Sequence, residues 1–271
     1  MRGFFLMNFS DNPIGVFDSG VGGLTVAKSI KTLLPKENLV YFGDTLHLPY
    51  GEKSSNSIIR YSKQITEFLL KKNCKAIVIA CNSASAHAFE ATKEMVPENV
   101  PVINVIDPVA KCIKSNYSSN QIGVIGTKAT IRSNIYQNRT NPVKIASLET
   151  PLLAAMIEEG FIQDSVSKAV ISAYLERKEL KNIDTLVLGC THYPLLEKEI
   201  TTYYKNKVSI IDSGKLVALE LQKQLSDNGL LNSSPSKNCD EFFVSDYTSS
   251  FEKITASFFG SEISLTELKI T

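Results

Sequence analysis

Two stretches of this chain echo one another at a fixed distance, and that echo limits the available folds more than any other feature. The segment IGVFDS at 14–19 returns as IGVIGT at 122–127, an offset of 108. Each reads as an apolar strand that ends in a hydroxyl residue before a turn and a helix. Downstream, AIVIACNS ends in Cys81 and Asn82, whereas TLVLGCTH ends in Cys190 and Thr191, an offset of 109. Two markers that agree within one residue imply two similar lobes. The strand-ending SIIDSG at 209–214 repeats the FDSG of 17–20, so the last segment is expected to return and build on the first half.

Short runs rich in Ile and Val alternate with helical periods, the pattern of an α/β fold with mainly parallel sheets. Strands are expected at Ile14–Phe17, Leu39–Phe42, Ile77–Ala80, Val102–Val105, Ile122–Ile125, Val143–Ala146, Leu186–Leu188 and Val208–Ile211. Helices are expected at Leu24–Leu34, Ser57–Leu70, Ser165–Leu175 and Leu195–Tyr204. The fold expected is therefore two pseudo-symmetric α/β lobes, residues 1–104 with 213–271 and residues 105–212. Open α/β sheets place ligands beyond the carboxyl ends of their strands, so the cleft between facing lobes would hold one cysteine from each.

Composition narrows the partners. With 29 Lys and Arg against 28 Asp and Glu the net charge is +1, and no run of one sign suggests nucleic acid or a membrane surface. The N-terminal apolar run Phe4–Met7 is too short for a signal-peptide core. Cysteines at 74, 81, 112, 190 and 239 form an odd set without CxxC spacing, which points away from a disulfide framework and toward a reduced, cytoplasmic setting.

Two matched thiols suit one kind of chemistry. Inverting a carbon acid requires a proton to leave on one face and another to return on the opposite face. A thiolate and a thiol, one per lobe, supply both and exchange roles when the direction reverses. A free thiol titrates near about 8.5, and a helix N-terminus lowers that. Both cysteines are expected at such a position, where exposed N–H groups and hydroxyls also bind carboxylates. Taken singly, each cysteine could be a small buried hydrophobe, and that reading stands for Cys74, Cys112 and Cys239.

Five segments, FDSGVGGLTV at 17–26, LPYGEKS at 48–54, ACNSASA at 80–86, GTKATIRS at 126–133 and GCTHYPLL at 189–196, resemble the glutamate racemase family of the aspartate/glutamate racemase superfamily. The resemblance implies cofactor-independent and metal-independent interconversion of L- and D-glutamate, supplying D-glutamate for peptidoglycan, by a cytoplasmic homodimer. It makes Cys81 the base for the D-enantiomer and Cys190 that for the L-enantiomer. Asp18 would assist the first; His192, helped by Glu158, would assist the second. Ser19, Tyr50, Gly51, Asn82, Ser83, Thr127, Thr130 and Thr191, with Asp18 and His192, would contact the substrate. The chain departs from the family in Ser83, where Thr is usual, and in the small pair Ala154–Ala155.

Each residue also has a plainer role: Asp18, Thr127 and Thr130 as caps, Tyr50 and Gly51 as turn residues, and His192 as a satisfied core histidine. Three other functions compete. One is an aspartate racemase or other thiol isomerase, one an inactive amino-acid-binding protein, and one a metal or redox site made of Cys81, Cys190 and His192.

Overall fold

In a computed structural model, residues 9–118, 120–233 and 240–270 are described. The run Phe4–Met7 and Cys239 lie outside them. The first half supplies β1 (Ile14–Asp18), α1 (Leu24–Leu33), β2 (Leu39–Gly43), α2 (Ser55–Lys71), β3 (Ala76–Ile79), α3 (Asn82–Lys93), β4 (Val102–Asn104) and α4 (Asp107–Asn116). The second supplies β5 (Ile122–Gly126), α5 (Lys128–Arg132), α6 (Ile135–Thr140), β6 (Ile145–Glu149), α7 (Pro151–Glu158), α8 (Ser165–Leu175), β7 (Thr185–Gly189), α9 (Glu197–Tyr203) and β8 (Ser209–Ile211). The chain then runs through α10 (Ser213–Asp227), β9 (Glu241–Val244), α11 (Ser249–Phe259) and β10 (Thr266–Glu267).

Two parallel sheets result, ordered β10-β9-β2-β1-β3-β4 and β6-β5-β7-β8. The second sheet repeats the β2-β1-β3-β4 arrangement of the first, the structural form of the sequence echo. Ile14 pairs with Leu39 and Ala76, as Ile122 pairs with Ile145 and Thr185. β1 and β3 are buried on both faces because helices cover both, and their residues divide by the two-residue period of a strand. Val16 and Val78 face α1, α4 and α10, while Phe17, Ile77 and Ile79 face α2 and α3. The first of these apolar clusters continues into the second lobe through Val124, Val187 and Leu188, so the lobes share one core.

Three sequence expectations shift. The strand expected at Val143–Ala146 starts at Ile145, because α6 engages the preceding backbone: Gln137 Nε2 donates to the Val143 carbonyl at 3.0 Å, and the Ile145 N–H donates to Gln137 Oε1 at 2.9 Å. The helix expected at Leu195–Tyr204 begins as a 3-10 turn, Tyr193–Leu196, with Pro194 at its start. The tail forms β9, α11 and β10, which no periodicity announced; β9 adds to the β2 edge of the first sheet. No helix among the described residues is long and apolar enough to cross a membrane.

At the edge of the first sheet away from the cleft a buried ion pair joins distant parts of the chain. Lys75 Nζ lies 2.6 Å from Glu37 Oε2, with side chains 0% and 2% exposed. The same ammonium donates to the Ser10 carbonyl, and Glu37 Oε1 accepts the Asn232 N–H at 2.8 Å. Removing one member leaves the other charge buried, so Lys75→Met is expected to cost about 3–5 kcal/mol in urea unfolding. Lys75→Met/Glu37→Gln should recover much of that loss; a single variant as stable as the parent would contradict the account.

Candidate functional site

The carboxyl ends of four strands carry the candidate chemistry. β1 ends in Asp18 and Ser19, and β3 leads to Cys81; in the other lobe β5 leads to Thr127 and β7 to Cys190. Cys81 and Cys190 are 5% and 7% exposed, so the seam between the lobes is nearly closed to water.

On the first-lobe side Cys81 is the N-cap of α3: its Sγ accepts the Ala84 N–H at 3.4 Å and lies 3.6 Å from the Ser19 hydroxyl. The sequence led us to expect a lowered thiol pKa there. Burial instead pushes Cys81 up to about 12, with the neighbouring Asp18 charge adding to the rise, and the Ala84 N–H and Ser19 hydroxyl only partly oppose it. Desolvation outweighs the helix terminus. Asp18 is itself raised by complete burial, against the charge of His192 and the N–H groups of Gly20, Gly23 and Ser19.

On the second-lobe side His192 bridges two partners. Its Nδ1 lies 3.7 Å from Cys190 Sγ, and its Nε2 lies 2.8 Å from Glu158 Oε1. Of the adjacent pair Glu158 and Glu159, Glu158 at the end of α7 makes the contact. Burial pushes the imidazole down, but hydrogen bonds to Cys190 and Glu158, together with their charges, leave it well above its ordinary value. The expected helix start after Cys190 is only the 3-10 turn at Tyr193, with α9 beginning at Glu197. Cys190 therefore has a histidine beside it where Cys81 has a helix.

Hydroxyls line the seam. Ser83 Oγ lies 2.8 Å from Thr127 Oγ1 and 3.4 Å from Thr130 Oγ1, and Thr191 Oγ1 donates to Asp18 Oδ1 at 3.4 Å. Glycines permit the approach. A Cβ on Gly51 would lie 2.7 Å from Thr127 Cβ, and one on Gly22 would lie 2.4 Å from His192 Nδ1.

Tyr50 is buried near the site, but its hydroxyl donates to Asp44 Oδ2 at 2.6 Å. Asp44 also accepts from Ser245 Oγ at 2.8 Å and faces His47 Nδ1 at 2.9 Å. Sequence reasoning missed Asp44, although an aspartate closing the apolar strand β2 repeats the pattern of Asp18 closing β1. It also missed Tyr136, whose hydroxyl donates to Asn82 Oδ1 at 2.7 Å, and Phe258 of α11, whose ring meets His192 edge-on at 5.2 Å. Among the described residues no group of three or more His, Cys, Asp or Glu is placed to hold a metal ion.

A sequence profile described as Asp/Glu/Hydantoin racemase matches residues 14–221. A glutamate racemase of Chlorobaculum tepidum is 42% identical over 263 residues, 96% of each chain. A glutamate racemase from Francisella tularensis, solved in complex with D-glutamate, superposes with a TM-score of 0.89 at 37% identity, covering 96% of this chain and 98% of its own. One from Bacillus anthracis gives 0.88 at 38% identity, covering 95% and 97%.

Two expectations follow from the seam. Gly22→Ala should push His192 from its partners, so its NMR titration midpoint should fall toward about 6.5. An unchanged midpoint would mean that the loop yields instead. Asp18→Asn should raise thermal stability near pH 8 by a few degrees. The sign follows from the raised folded-state pKa: the penalty is absent below the unfolded value of 3.8, grows as pH rises, and is complete above the folded-state value. The variant's advantage should therefore vanish in acid, and a lower melting temperature at pH 8 would refute it.

Proposed function

The chain belongs to the glutamate racemases of the Asp/Glu/hydantoin racemase family, and we propose that it interconverts L- and D-glutamate by proton transfer at the α-carbon between Cys190 and Cys81. The observation that carries this reading is the pair of buried thiols on matched strand ends of two lobes, with Ser19 beside Cys81 and His192 beside Cys190. As thiolate, Cys190 takes the α-proton of L-glutamate and Cys81 delivers one to the opposite face; the D-enantiomer reverses the roles. The raised pKa of Cys81 keeps it protonated, the state a donor starts from. Asp18 receives that proton when Cys81 must act as base, and His192, held by Glu158, serves Cys190.

Ser19, Asn82, Ser83, Thr127, Thr130 and Thr191 bind the carboxylates and ammonium in this reading, with Tyr50 and Gly51 shaping the wall. The hydroxyl network across the seam supports that grouping. The two sheets support lobes of 1–104 with 213–271 and of 105–212. A cytoplasmic homodimer making D-glutamate for peptidoglycan completes the proposal. Unpaired Cys74, Cys81, Cys112 and Cys190 support a reducing compartment.

The test is inversion in deuterated water. The unaltered protein should racemise L-glutamate and leave L-aspartate nearly untouched. Cys81→Ala and Cys190→Ala should each lose inversion by about 10²–10⁴-fold or more. Cys81→Ala should still exchange the α-proton of L-glutamate slowly, and Cys190→Ala that of D-glutamate. Inversion by either variant near the parent rate would eliminate the two-thiol mechanism, and comparable turnover of aspartate would eliminate the substrate assignment.

A further inference from the structure

The bond between Tyr136 and Asn82 crosses from one lobe to the other. Tyr136 stands on α6, and its hydroxyl donates at 2.7 Å to Oδ1 of Asn82, the residue that follows Cys81. The two residues are 3% and 2% exposed. Burial first, then the charge of Cys190, push the phenol above its ordinary range, so it remains a donor. The hydroxyl occupies Oδ1 and leaves Nδ2 as the free half of the amide.

Nδ2 then presents two hydrogens, and among the described residues it has no hydrogen-bond partner. A buried donor without an acceptor costs about 1–3 kcal/mol, and native interiors seldom retain one without use. The tyrosine ring is fixed as well. A Cβ on Gly189, the residue before Cys190, would lie 3.5 Å from Tyr136 Cε2, so the ring lies against the strand that carries the second thiol. Asn82 follows one thiol, and the group that orients it rests beside the other.

We propose that Tyr136 is a positioning residue that orients the Asn82 amide across the seam, so that the Nδ2 hydrogens meet a carboxylate of the substrate. The inference rests on the racemase reading for the identity of that carboxylate. It makes the donor conditional on lobe apposition: when α6 and α3 separate, Asn82 loses the partner that sets its orientation. Binding then satisfies a donor already turned toward the anion.

Tyr136→Phe keeps the ring and removes only the hydroxyl. It should raise KM for both enantiomers about tenfold, the scale of one hydrogen bond, while kcat falls less. Asn82→Ala should make the second change nearly silent, so the double-mutant cycle should be strongly non-additive. With asparagine labelled by ¹⁵N, the Asn82 amide pair is identified by its loss in Asn82→Ala. That pair should shift when D-glutamate saturates the parent protein, and should also differ in ligand-free Tyr136→Phe. A KM within twofold of the parent, an equal loss in both backgrounds, or an unmoved amide pair in Tyr136→Phe would overturn the proposal. If the parent itself fails to racemise glutamate, the racemase reading falls alone, and the amide pair in ligand-free Tyr136→Phe still decides whether Tyr136 orients Asn82. If Tyr136→Phe does not fold, the parent titration decides: an amide pair that ignores D-glutamate overturns the inference.

Discussion

Exclusion of water from the seam between two sheet ends is the constraint on which the rest of the structure depends. Every ionisable group there loses hydration, which disfavours its charged form unless a partner compensates. Asp18 answers with three backbone N–H groups and His192 with a thiol and a carboxylate, while Cys81 keeps its proton. The sheets make this arrangement affordable, since β1, β3, β5 and β7 are buried along their whole length up to the polar groups at their ends. The lobes also share a continuous core, which holds the two halves of the polar cluster together.

The two halves of the seam reach similar chemistry by different local means. Cys81 caps α3 and meets a serine hydroxyl, while the charge of Asp18 works against its thiolate. Cys190 precedes a 3-10 turn and leans on an imidazole backed by a glutamate. The divergence begins at the residue after each thiol. Asn82 opens α3, whereas Thr191 and His192 precede only the 3-10 turn that starts at Tyr193, and the imidazole lies against the sulfur.

How much of this was legible in the sequence depended on the range of the interaction. Cys81, Cys190 and the α/β plan are local and repeated, so periodicity and offset reveal them. Asp18, Ser19, Asn82, Ser83, Thr127, Thr130, Thr191 and His192 flank strand ends, and the family-like motifs name them. The structure brings these residues to the seam, while Tyr50 turns its hydroxyl to Asp44. Tyr136, Ser245 and Phe258 were not legible because each meets its partner across at least fifty residues of chain, and nothing in its own neighbourhood encodes that contact. The raised proton affinity of Cys81 was misjudged for a related reason: a helix terminus can be read locally, but burial is a property of the whole fold.

The placement of β9 bears on how the molecule is made. The strand lies against β2, and Ser245 just beyond it binds the Asp44 that holds Tyr50; Phe258 follows and meets His192. These residues follow β1 to β8 in the order of synthesis. Between the appearance of β8 and that of β9 the chain therefore has a second sheet whose four strands are complete, and a first sheet with β2 exposed along one edge. Contacts of such sequence separation form late and slowly. The nascent protein consequently carries both thiols before it has the residues that hold Asp44 and meet His192, and the site is completed only when β9 and α11 join the first lobe.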